Sequence, residues 1–471
     1  MRSKRSTRTG RRPDRRAATA LVVWATLFAT AAQADGITLT ARPRLLVGDR
    51  PAWRVTGLAP RAEVVVETYR SAAKPVQSGT QWSTVHPLFH AQARFWADGT
   101  GSLDLDRAVP IDGTYSGADP RGLLWSGVVV DARTDVPADL RPAQDGEVQV
   151  LVRAQDRIVA RARVTLVTHV DGVQATRVDT PALTGVFAAP AQARGAPVVI
   201  LLHGSEGGTF EDAEAEASLY ASQGFAAFAL IYFSWPYAHV PNAPQGFSHL
   251  PLERIDTARA WLAQRPEADT GRLALVGGSK GAEYALAAST VYPWVRAVVA
   301  CVPSSLVWGG FGAPAGAKGE SFTLRDRPLA YVPYGDYGPV ARGEITSAER
   351  HRRDRAAAAP AVVEAAMIPV ERSAADMLLI SGGRDAVWPS DAMSAELMAR
   401  LGRRGPVGGR APLAEWLSYP DAGHYLCGTG TSPVRFQEAD EGARGGGLVN
   451  ADGRDPGAAW ERTLGFLRRA L

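Results

Sequence analysis

The sequence predicts two parts, an all-β domain followed by an α/β domain with a mostly parallel sheet. Up to about residue 180, short β-branched runs alternate with turn residues, and no helical periodicity separates them. From about residue 181, fully apolar strands alternate with amphipathic helices. Such alternation is typical of a parallel sheet that helices cover on both faces. The length of 471 residues leaves ample room for both parts.

Composition and charge exclude several classes of protein. The chain is 46% hydrophobic and 21% charged, as in ordinary globular proteins. Its net charge of +4 belongs to the arginine-rich residues 1–16, and the remainder is slightly acidic, so we expect no nucleic-acid partner. Two cysteines are too few for a disulfide framework or a cysteine zinc site, and we predict no metal and no cofactor. The oligomeric state stays open.

Residues 1–34 have the pattern of a signal peptide. The basic segment is followed by an uncharged, apolar stretch over 17–34, which ends in Ala32-Gln33-Ala34. Small residues at these positions are what a signal peptidase reads, so we predict cleavage after Ala34 and export to the periplasm or outside the cell. The alternative is an uncleaved membrane anchor, because the uncharged stretch is borderline in length for spanning a bilayer. No later stretch is apolar enough to span, so we expect no stable membrane insertion after cleavage.

Residues 35–180 predict an immunoglobulin-like β-sandwich. Strand candidates lie over 63–68, 127–130, 148–153 and 161–168. Turn residues at 47–49, 98–101 and 117–120 separate the strands. Short strands at this spacing are typical of the immunoglobulin type of sandwich.

Residues 181–471 predict the α/β domain. Strand candidates lie over 197–202, 226–232, 273–276, 297–301, 376–380 and 415–419. Helix candidates lie over 211–222, 252–264, 282–289, 390–401 and 458–471. Residues 303–370 are rich in glycine, proline and charge, and we predict an irregular insertion there. An insertion after a strand carboxyl end is expected to lie over the ligand crevice.

The most specific motif is Gly277-Gly278-Ser279-Lys280-Gly281, which matches G-x-S-x-G between a buried strand and a helix. The glycines Gly277, Gly278 and Gly281 leave room for a strained strand-to-helix turn. This turn lifts a serine hydroxyl above the sheet, as in the α/β-hydrolase fold. We therefore predict Ser279 as a nucleophile. The alternative is a turn serine that caps the following helix.

A serine nucleophile needs a histidine base, which in this fold follows the serine along the chain. Only two histidines follow Ser279. His424 lies in the loop after the last predicted strand, where the base is expected. His351 lies in a charged run and reads as part of a solvated helix face. We predict His424 as the base.

The acid that orients the histidine should follow the preceding strand. Asp385 lies at the carboxyl end of that strand. The competing carboxylates are Asp391, inside the next helix, and Asp421, which we expect to brace its own turn. We predict Asp385.

A developing oxyanion needs two hydrogen-bond donors. One is expected to be the backbone N–H of Lys280, and the other that of Ser205 or Glu206 in the glycine-rich loop after strand 197–202. His203 precedes the nucleophile and is expected to support this loop. The Lys280 side chain could attract an anionic substrate, but we favour a surface lysine at the helix start.

The two cysteines leave two alternatives. Cys301 ends the strand beside the nucleophile strand, and Cys427 lies three residues beyond His424, so both could face one crevice. They could form an oxidised pair after export. We favour two unrelated buried thiols.

The sequence resembles the family of acyl-CoA thioesterases and bile acid-CoA:amino acid N-acyltransferases over nearly the whole mature chain. The matching segments are 44–57, 95–98, 113–120, 122–126, 278–283, 368–371, 385–388 and 423–425. By this resemblance, Ser279, Asp385 and His424 fall on the family's triad. The implied reaction is hydrolysis of an acyl-CoA thioester to a free fatty acid and CoA, and the N-terminal domain resembles the family's immunoglobulin-like module.

Three other functions remain as alternatives. An exported carboxylesterase or lipase-like enzyme would act on small-molecule esters instead of thioesters. An N-acyltransferase would pass the acyl group to an amino acid, but members with that activity carry cysteine where this chain has Ser279. A non-catalytic binding protein would have no need of all three triad residues.

Overall fold

A computed structural model of the chain describes residues 29–30, 36–78, 81–131, 136–312, 319–406, 410–434 and 445–471. The predicted cleavage site after Ala34 lies outside the described residues, as does the predicted signal peptide apart from the backbone of residues 29–30. Within the described ranges, no helix has the length and hydropathy that crossing a membrane requires.

The N-terminal part is all-β apart from one short helix. Its strands are β1 (Ala29–Thr30), β2 (Thr38–Ala41), β3 (Arg44–Leu46), β4 (Arg54–Thr56), β5 (Glu63–Ser71), β6 (Lys74–Ser78), β7 (Gln81–Val85), β8 (Leu88–Trp96), β9 (Leu103–Asp104), β10 (Asp112–Gly113), β11 (Val128–Val130), β12 (Glu147–Ala154) and β13 (Arg157–Val167). The helix is α1 (Gly122–Trp125), and a 3₁₀ turn covers Ala138–Leu140.

These strands form two sheets around one core. The first sheet has the order β1-β2-β4-β9, and the second has the order β10-β8-β5-β12-β13-β3, with β11 paired to β8. Leu39 and Val55 of the first sheet share a buried cluster with Val66, Phe95 and Val150 of the second. The separate hairpin β6–β7 pairs only with itself.

The C-terminal part alternates strands and helices. Its strands are β14 (Val173–Asp179), β15 (Thr184–Pro190), β16 (Ala196–Leu202), β17 (Ala226–Leu230), β18 (Leu250–Pro251), β19 (Ala268–Gly278), β20 (Ala297–Cys301), β21 (Phe322–Leu324), β22 (Arg327–Pro328), β23 (Asp376–Gly382) and β24 (Ala414–Tyr419). Its helices are α2 (Phe210–Ser222), α3 (Glu253–Leu262), α4 (Lys280–Ser289), α5 (Gly338–Ala341), α6 (Ser347–Ala357), α7 (Pro360–Ala366), α8 (Ser390–Leu401) and α9 (Val449–Ala470). Short 3₁₀ helices cover Pro236–Ala238, Val370–Arg372 and His424–Cys427.

The main sheet has eight strands in the order β14-β15-β17-β16-β19-β20-β23-β24. Every neighbouring pair from β17 to β24 is parallel, and the β14–β15 and β15–β17 pairs are antiparallel. Strand β16 shows why such strands are apolar throughout. Val198 and Ile200 belong to the hydrophobic cluster on one face, whereas Val199 and Leu201 belong to the cluster on the other. This mixed sheet is an α/β-hydrolase-like architecture.

The last helix differs from its prediction. It begins at Val449 rather than at residue 458, and it contains Pro456. A Cβ atom on Gly453 would lie 2.1 Å from the ring of Trp125 in the β domain. The glycine that weakens the helical pattern therefore permits close contact between α9 and the N-terminal part. Glu461 of the same helix bonds to both Arg50 and Arg121 of that part.

Residues 303–370 are more ordered than predicted. They contain helices α5, α6 and α7, and strands β21 and β22 join β18 in a small three-stranded sheet. The prediction of an irregular segment is wrong, because Trp308, Val332 and Ala366 of the segment are buried in one cluster with Trp388. Residues of the segment also line a cavity.

Candidate active site

Ser279 lies at a strained turn between β19 and α4. Its backbone has φ 54° and ψ −120°, a conformation that non-glycine residues rarely adopt. A Cβ atom on Gly277 would lie 2.4 Å from the backbone of Gly281, and one on Gly281 would lie 2.0 Å from the carbonyl oxygen of Leu202. Both positions therefore require glycine. The Ser279 hydroxyl makes no capping bond to α4, which excludes the helix-capping alternative.

The structure brings Ser279, His424 and Asp385 together. His424 Nε2 lies 2.9 Å from Ser279 Oγ, and His424 Nδ1 lies 2.9 Å from Asp385 Oδ2 and 3.0 Å from Oδ1. Because an ionised carboxylate only accepts hydrogen bonds, Nδ1 carries the proton and Nε2 is free to accept that of the serine. The arrangement can deprotonate a hydroxyl at the sheet edge.

Asp385 is held in place by backbone donors. The N–H groups of Val387 and Trp388 donate to Asp385 Oδ1 at 2.9 and 3.1 Å. The competing carboxylates make other contacts. Asp391 accepts bonds from the hydroxyls of Ser381 and Ser418, and Asp421 lies 3.4 Å from Arg384 Nε.

The predicted oxyanion donors belong to the start of α4 and to the loop after β16. Lys280 is the first residue of α4, where the backbone N–H has no partner within the helix. Ser205 lines the same cavity as Ser279, whereas Glu206 uses its carboxylate to accept the N–H of Gly204 at 2.7 Å. His203 stacks on Tyr232, whose hydroxyl donates to the His203 carbonyl, in agreement with a supporting role.

The expectation of a surface lysine at position 280 is wrong. The residue is 2% exposed, and its Nζ lies 2.9 Å from Glu283 Oε2. The rings of Phe247, Tyr334 and Trp388 surround the ammonium group at 5.0 to 5.7 Å. Burial favours the neutral form of both groups, but attraction to Glu283 raises the pKa of Lys280 above its ordinary value. The i,i+3 spacing of Lys280 and Glu283 on α4 is the sequence signal for this pair.

The expectation that His351 lies on a solvated helix face is also wrong. It is 5% exposed, and the rings of Trp308, Tyr334 and Trp388 pack edge-on against it. Its Nδ1–H donates to the Ser347 carbonyl at 2.8 Å. Burial lowers the pKa of His351 to about 3, so the ring is neutral at ordinary pH. His351 and Ala348 are the buried residues of α6. The charged residues around His351 in the sequence gave no indication of this buried face.

A cavity of about 600 Å³ opens beside Ser279. Ser205, Lys280 and Trp388 line it, together with Phe311, Tyr334 and His351 from the insertion. Aromatic rings and glycines together make up most of this wall, which suits an apolar group. Among the residues that the structure describes, no group of three or more His, Cys, Asp or Glu side chains is arranged to hold a metal ion.

The favoured reading of two unrelated thiols is wrong. Cys301 and Cys427 form a disulfide with a Cα–Cα distance of 5.8 Å. The sequence signal was that each cysteine lies next to a predicted site element. The pairing itself required the fold, because 126 residues separate the two.

Comparison with known proteins gives a consistent result. Residues 53–180 match the model of the acyl-CoA thioester hydrolase/BAAT N-terminal region, and residues 250–471 match that of the BAAT/acyl-CoA thioester hydrolase C terminal. Human acyl-coenzyme A thioesterase 1 is 28% identical over 79% of this chain and 81% of its own. Mouse mitochondrial acyl-coenzyme A thioesterase 2 is 27% identical over 79% and 75%. A putative dienelactone hydrolase from Klebsiella pneumoniae is a structural neighbour, with 16% identity, a TM-score of 0.37, and 64% and 100% coverage.

Proposed function

Because the chain belongs to the acyl-CoA thioester hydrolase/BAAT family and is a hydrolytic enzyme acting on thioesters or esters, we propose that it hydrolyses acyl-CoA to a free fatty acid and CoA. The observation that carries this proposal is the unbroken chain of contacts from Ser279 through His424 to Asp385. These contacts supply a nucleophile, a base and an orienting acid for acyl transfer.

The reaction proceeds through a covalent acyl-enzyme. Ser279 Oγ attacks the thioester carbonyl carbon while His424 Nε2 takes its proton, and the C–S bond then breaks as His424 returns that proton to the leaving sulfur. Neutral His424 next takes a proton from a water that attacks the ester carbonyl, and it passes this proton to Ser279 Oγ as the acid is released. Asp385 keeps the His424 tautomer and stabilises the imidazolium that forms in each half-reaction.

The oxyanion is bound by two backbone N–H groups. Lys280 supplies one from the start of α4, where the helix dipole also favours negative charge. Ser205 supplies the other in preference to Glu206, because Ser205 lines the cavity that holds Ser279.

The aromatic cavity holds the acyl group. Phe311, Tyr334 and Trp388 present apolar surface directly beside Ser279. The two cations that line the cavity are both paired, Lys280 with Glu283 and Arg350 with Asp354, so neither is placed to select an anionic acyl chain. An apolar acyl group is therefore the favoured substrate part.

The nature of the nucleophile favours hydrolysis over transfer to an amino acid. A serine acyl-enzyme is an oxygen ester, which has less bias toward amines than a cysteine thioester. Free acid is the expected product, and a conjugate with glycine or taurine is not expected.

Two further parts of the proposal concern the whole chain. The signal-peptide pattern supports export after cleavage near Ala34, with an N-terminal membrane anchor as the alternative. The two packed sheets support an immunoglobulin-like domain that ends after β13, beside a catalytic domain that begins with β14. The predicted boundary at residue 180 is too late, because β14 (Val173–Asp179) pairs with β15 in the main sheet. Export is the observation that favours the second candidate function, hydrolysis of a carboxylic ester, because acyl-CoA is an intracellular metabolite. Edman sequencing of material from outside the cytoplasm should find Asp35 first.

The central test compares the mature protein with Ser279→Ala on acyl-CoAs and on p-nitrophenyl esters of matched chain length. We expect Ser279→Ala to lower kcat on the order of 10⁴- to 10⁶-fold. Equal activity of the two proteins would contradict the proposal. Clear preference for the aryl esters would identify an ester hydrolase. In the same assay with excess glycine or taurine, conjugate exceeding free acid would identify an N-acyltransferase.

A further inference from the structure

The Cys301–Cys427 disulfide contacts the turn that carries Ser279. Cys301 is the last residue of β20, and its carbonyl oxygen accepts the Ser279 N–H at 2.9 Å. Cys427 Sγ lies 3.3 Å from the position that a Cβ atom on Gly278 would occupy. The bridge therefore contacts the turn that carries the nucleophile at two points.

The other end of the disulfide belongs to the segment that carries the base. His424 and Cys427 are the first and last residues of one short 3₁₀ helix. This helix is also held by two sets of hydrogen bonds. The His424 ring binds Asp385, and the preceding Gly423 donates its N–H to Asp452 at 2.8 Å. The disulfide adds a covalent link from this helix to the strand next to Ser279.

The geometry makes this link relevant to proton transfer. Ser279 Oγ and His424 Nε2 meet at 2.9 Å, although 145 residues separate them along the chain. A displacement of about 1 Å between a nucleophile and its base can cost on the order of a hundredfold in rate. The Ser279 backbone is hydrogen-bonded to Cys301, Cys301 is bonded to Cys427, and Cys427 shares a short helix with His424. This connection restricts the movement of His424 relative to Ser279.

The disulfide can be approached from the Cys427 end. Cys301 is buried, but Cys427 is exposed. A second cavity, of about 410 Å³, is lined by Cys427 and Gly278, whereas Ser279 and Lys280 line the acyl cavity. A small dithiol can therefore reach the bridge without entering the acyl cavity.

We propose that Cys301 and Cys427 are positioning residues whose disulfide holds His424 in register with Ser279, so that reduction of the bridge lowers turnover. This inference rests on the proposed function of Ser279 and His424. Dithiothreitol would reduce the bridge by delivering two electrons and two protons. The products are the two cysteine thiols and the cyclic disulfide of dithiothreitol.

The test measures kcat and KM on a p-nitrophenyl ester, whose hydrolysis releases no thiol. Oxidised wild type is compared with dithiothreitol-reduced wild type and with Cys301→Ser/Cys427→Ser, and Ser279→Ala supplies the background. We expect kcat to fall about tenfold or more in the reduced protein and in the double variant, with little change in KM. The matched control is that dithiothreitol leaves the double variant unchanged.

Near-UV circular dichroism separates positioning from folding. Loss of kcat at an unchanged spectrum supports the proposal. If the double variant does not fold, the same comparison is made between oxidised and reduced wild type. Loss of kcat only together with the spectrum contradicts it, because the bridge would then hold the whole fold. Equal Ser279-dependent kcat in the oxidised and reduced proteins overturns this inference alone. Oxidised wild type with no activity above Ser279→Ala overturns the proposed function as well.

Discussion

His424 and His351 contact the same tryptophan, because both rings pack edge-on against Trp388 at a centroid distance of 5.8 Å. Both are nearly excluded from solvent. The Nδ1 of His424 meets the carboxylate of Asp385, whereas the Nδ1 of His351 meets the neutral carbonyl of Ser347. Two histidines in one aromatic environment therefore differ chiefly in the charge of a single partner.

This difference decides what each ring can do. An imidazole can accept a proton in a buried site only if a nearby negative charge stabilises the product. His424 has such a partner and also faces Ser279 Oγ. In the described part of the chain no carboxylate bonds to the His351 ring, and the Lys280 and Arg350 cations further lower its pKa beyond the effect of burial. A buried histidine that lines an active site therefore needs a hydrogen bond to a carboxylate in order to act as a base.

The most direct way to break this comparison is to replace each histidine by glutamine. We expect His424→Gln to lower kcat on the order of 10⁴- to 10⁶-fold, because the proton acceptor is lost. The loss for His351→Gln should stay within about tenfold, since that ring only shapes the cavity. Both values come from steady-state kinetics on one acyl-CoA. Comparable losses would show that His351 also takes part in proton transfer.

A second variant gives His424 a neutral partner like that of His351. Asp385→Asn should lower kcat about 10⁴-fold, because the amide controls neither the tautomer nor the imidazolium charge. The matched control is Asp421→Asn, which removes the nearby carboxylate that pairs with Arg384. A larger loss for Asp421→Asn than for Asp385→Asn would assign the acid to Asp421.

The buried Lys280–Glu283 pair places a cation over Trp388, the ring that both histidines contact. Glu283 is fully buried, so Glu283→Gln would leave the Lys280 charge without a counter-ion. We expect the free energy of unfolding to fall by about 3–5 kcal/mol in urea denaturation. Removing both charges in Lys280→Met/Glu283→Gln should recover part of that loss. A double variant less stable than the single one would argue against an uncompensated charge as the cause.

The smallest expected effect concerns pH. The folded pKa of His351 is about 3, below the ordinary value of 6.5, so the unfolded chain binds this proton more readily. Stability from this residue is therefore fully present above about pH 6.5 and is lost as the pH falls toward 3. The slope should reach at most about 1.4 kcal/mol per pH unit. His351→Phe should show a shallower decline between pH 6 and 4 in urea denaturation, and an equal slope would contradict a buried neutral histidine.

Local patterns in the chain were sufficient to predict much of the site. The glycines around Ser279 predict the strained turn, because any side chain at their positions would clash with the backbone of Leu202 or Gly281. His424 and Asp385 were predicted from their positions after two parallel strands, whose carboxyl ends necessarily share one edge of the sheet. The family followed from motifs of the same local kind.

Burial and long-range pairing could not be predicted in this way. The charged sequence around His351 gave no sign that Trp308, Tyr334 and Trp388 enclose the ring. Likewise, Lys280 is buried because the rings of Phe247 and Tyr334, which are distant in the sequence, cover its ammonium group. Cys301 and Cys427 could each be placed near the crevice, but only the fold decides that their sulfur atoms meet.

The sequence by itself thus determined the order of the parallel strands of the main sheet, the nucleophile turn and the residues at the ends of those strands. These features depend on steric limits and periodicities that act over a few neighbouring residues. The tertiary structure alone decided which polar groups are buried and with what partner. The reason is that desolvation and ion pairing depend on atoms brought together from distant parts of the chain, as with Glu461 of α9 and Arg50 and Arg121 of the β domain.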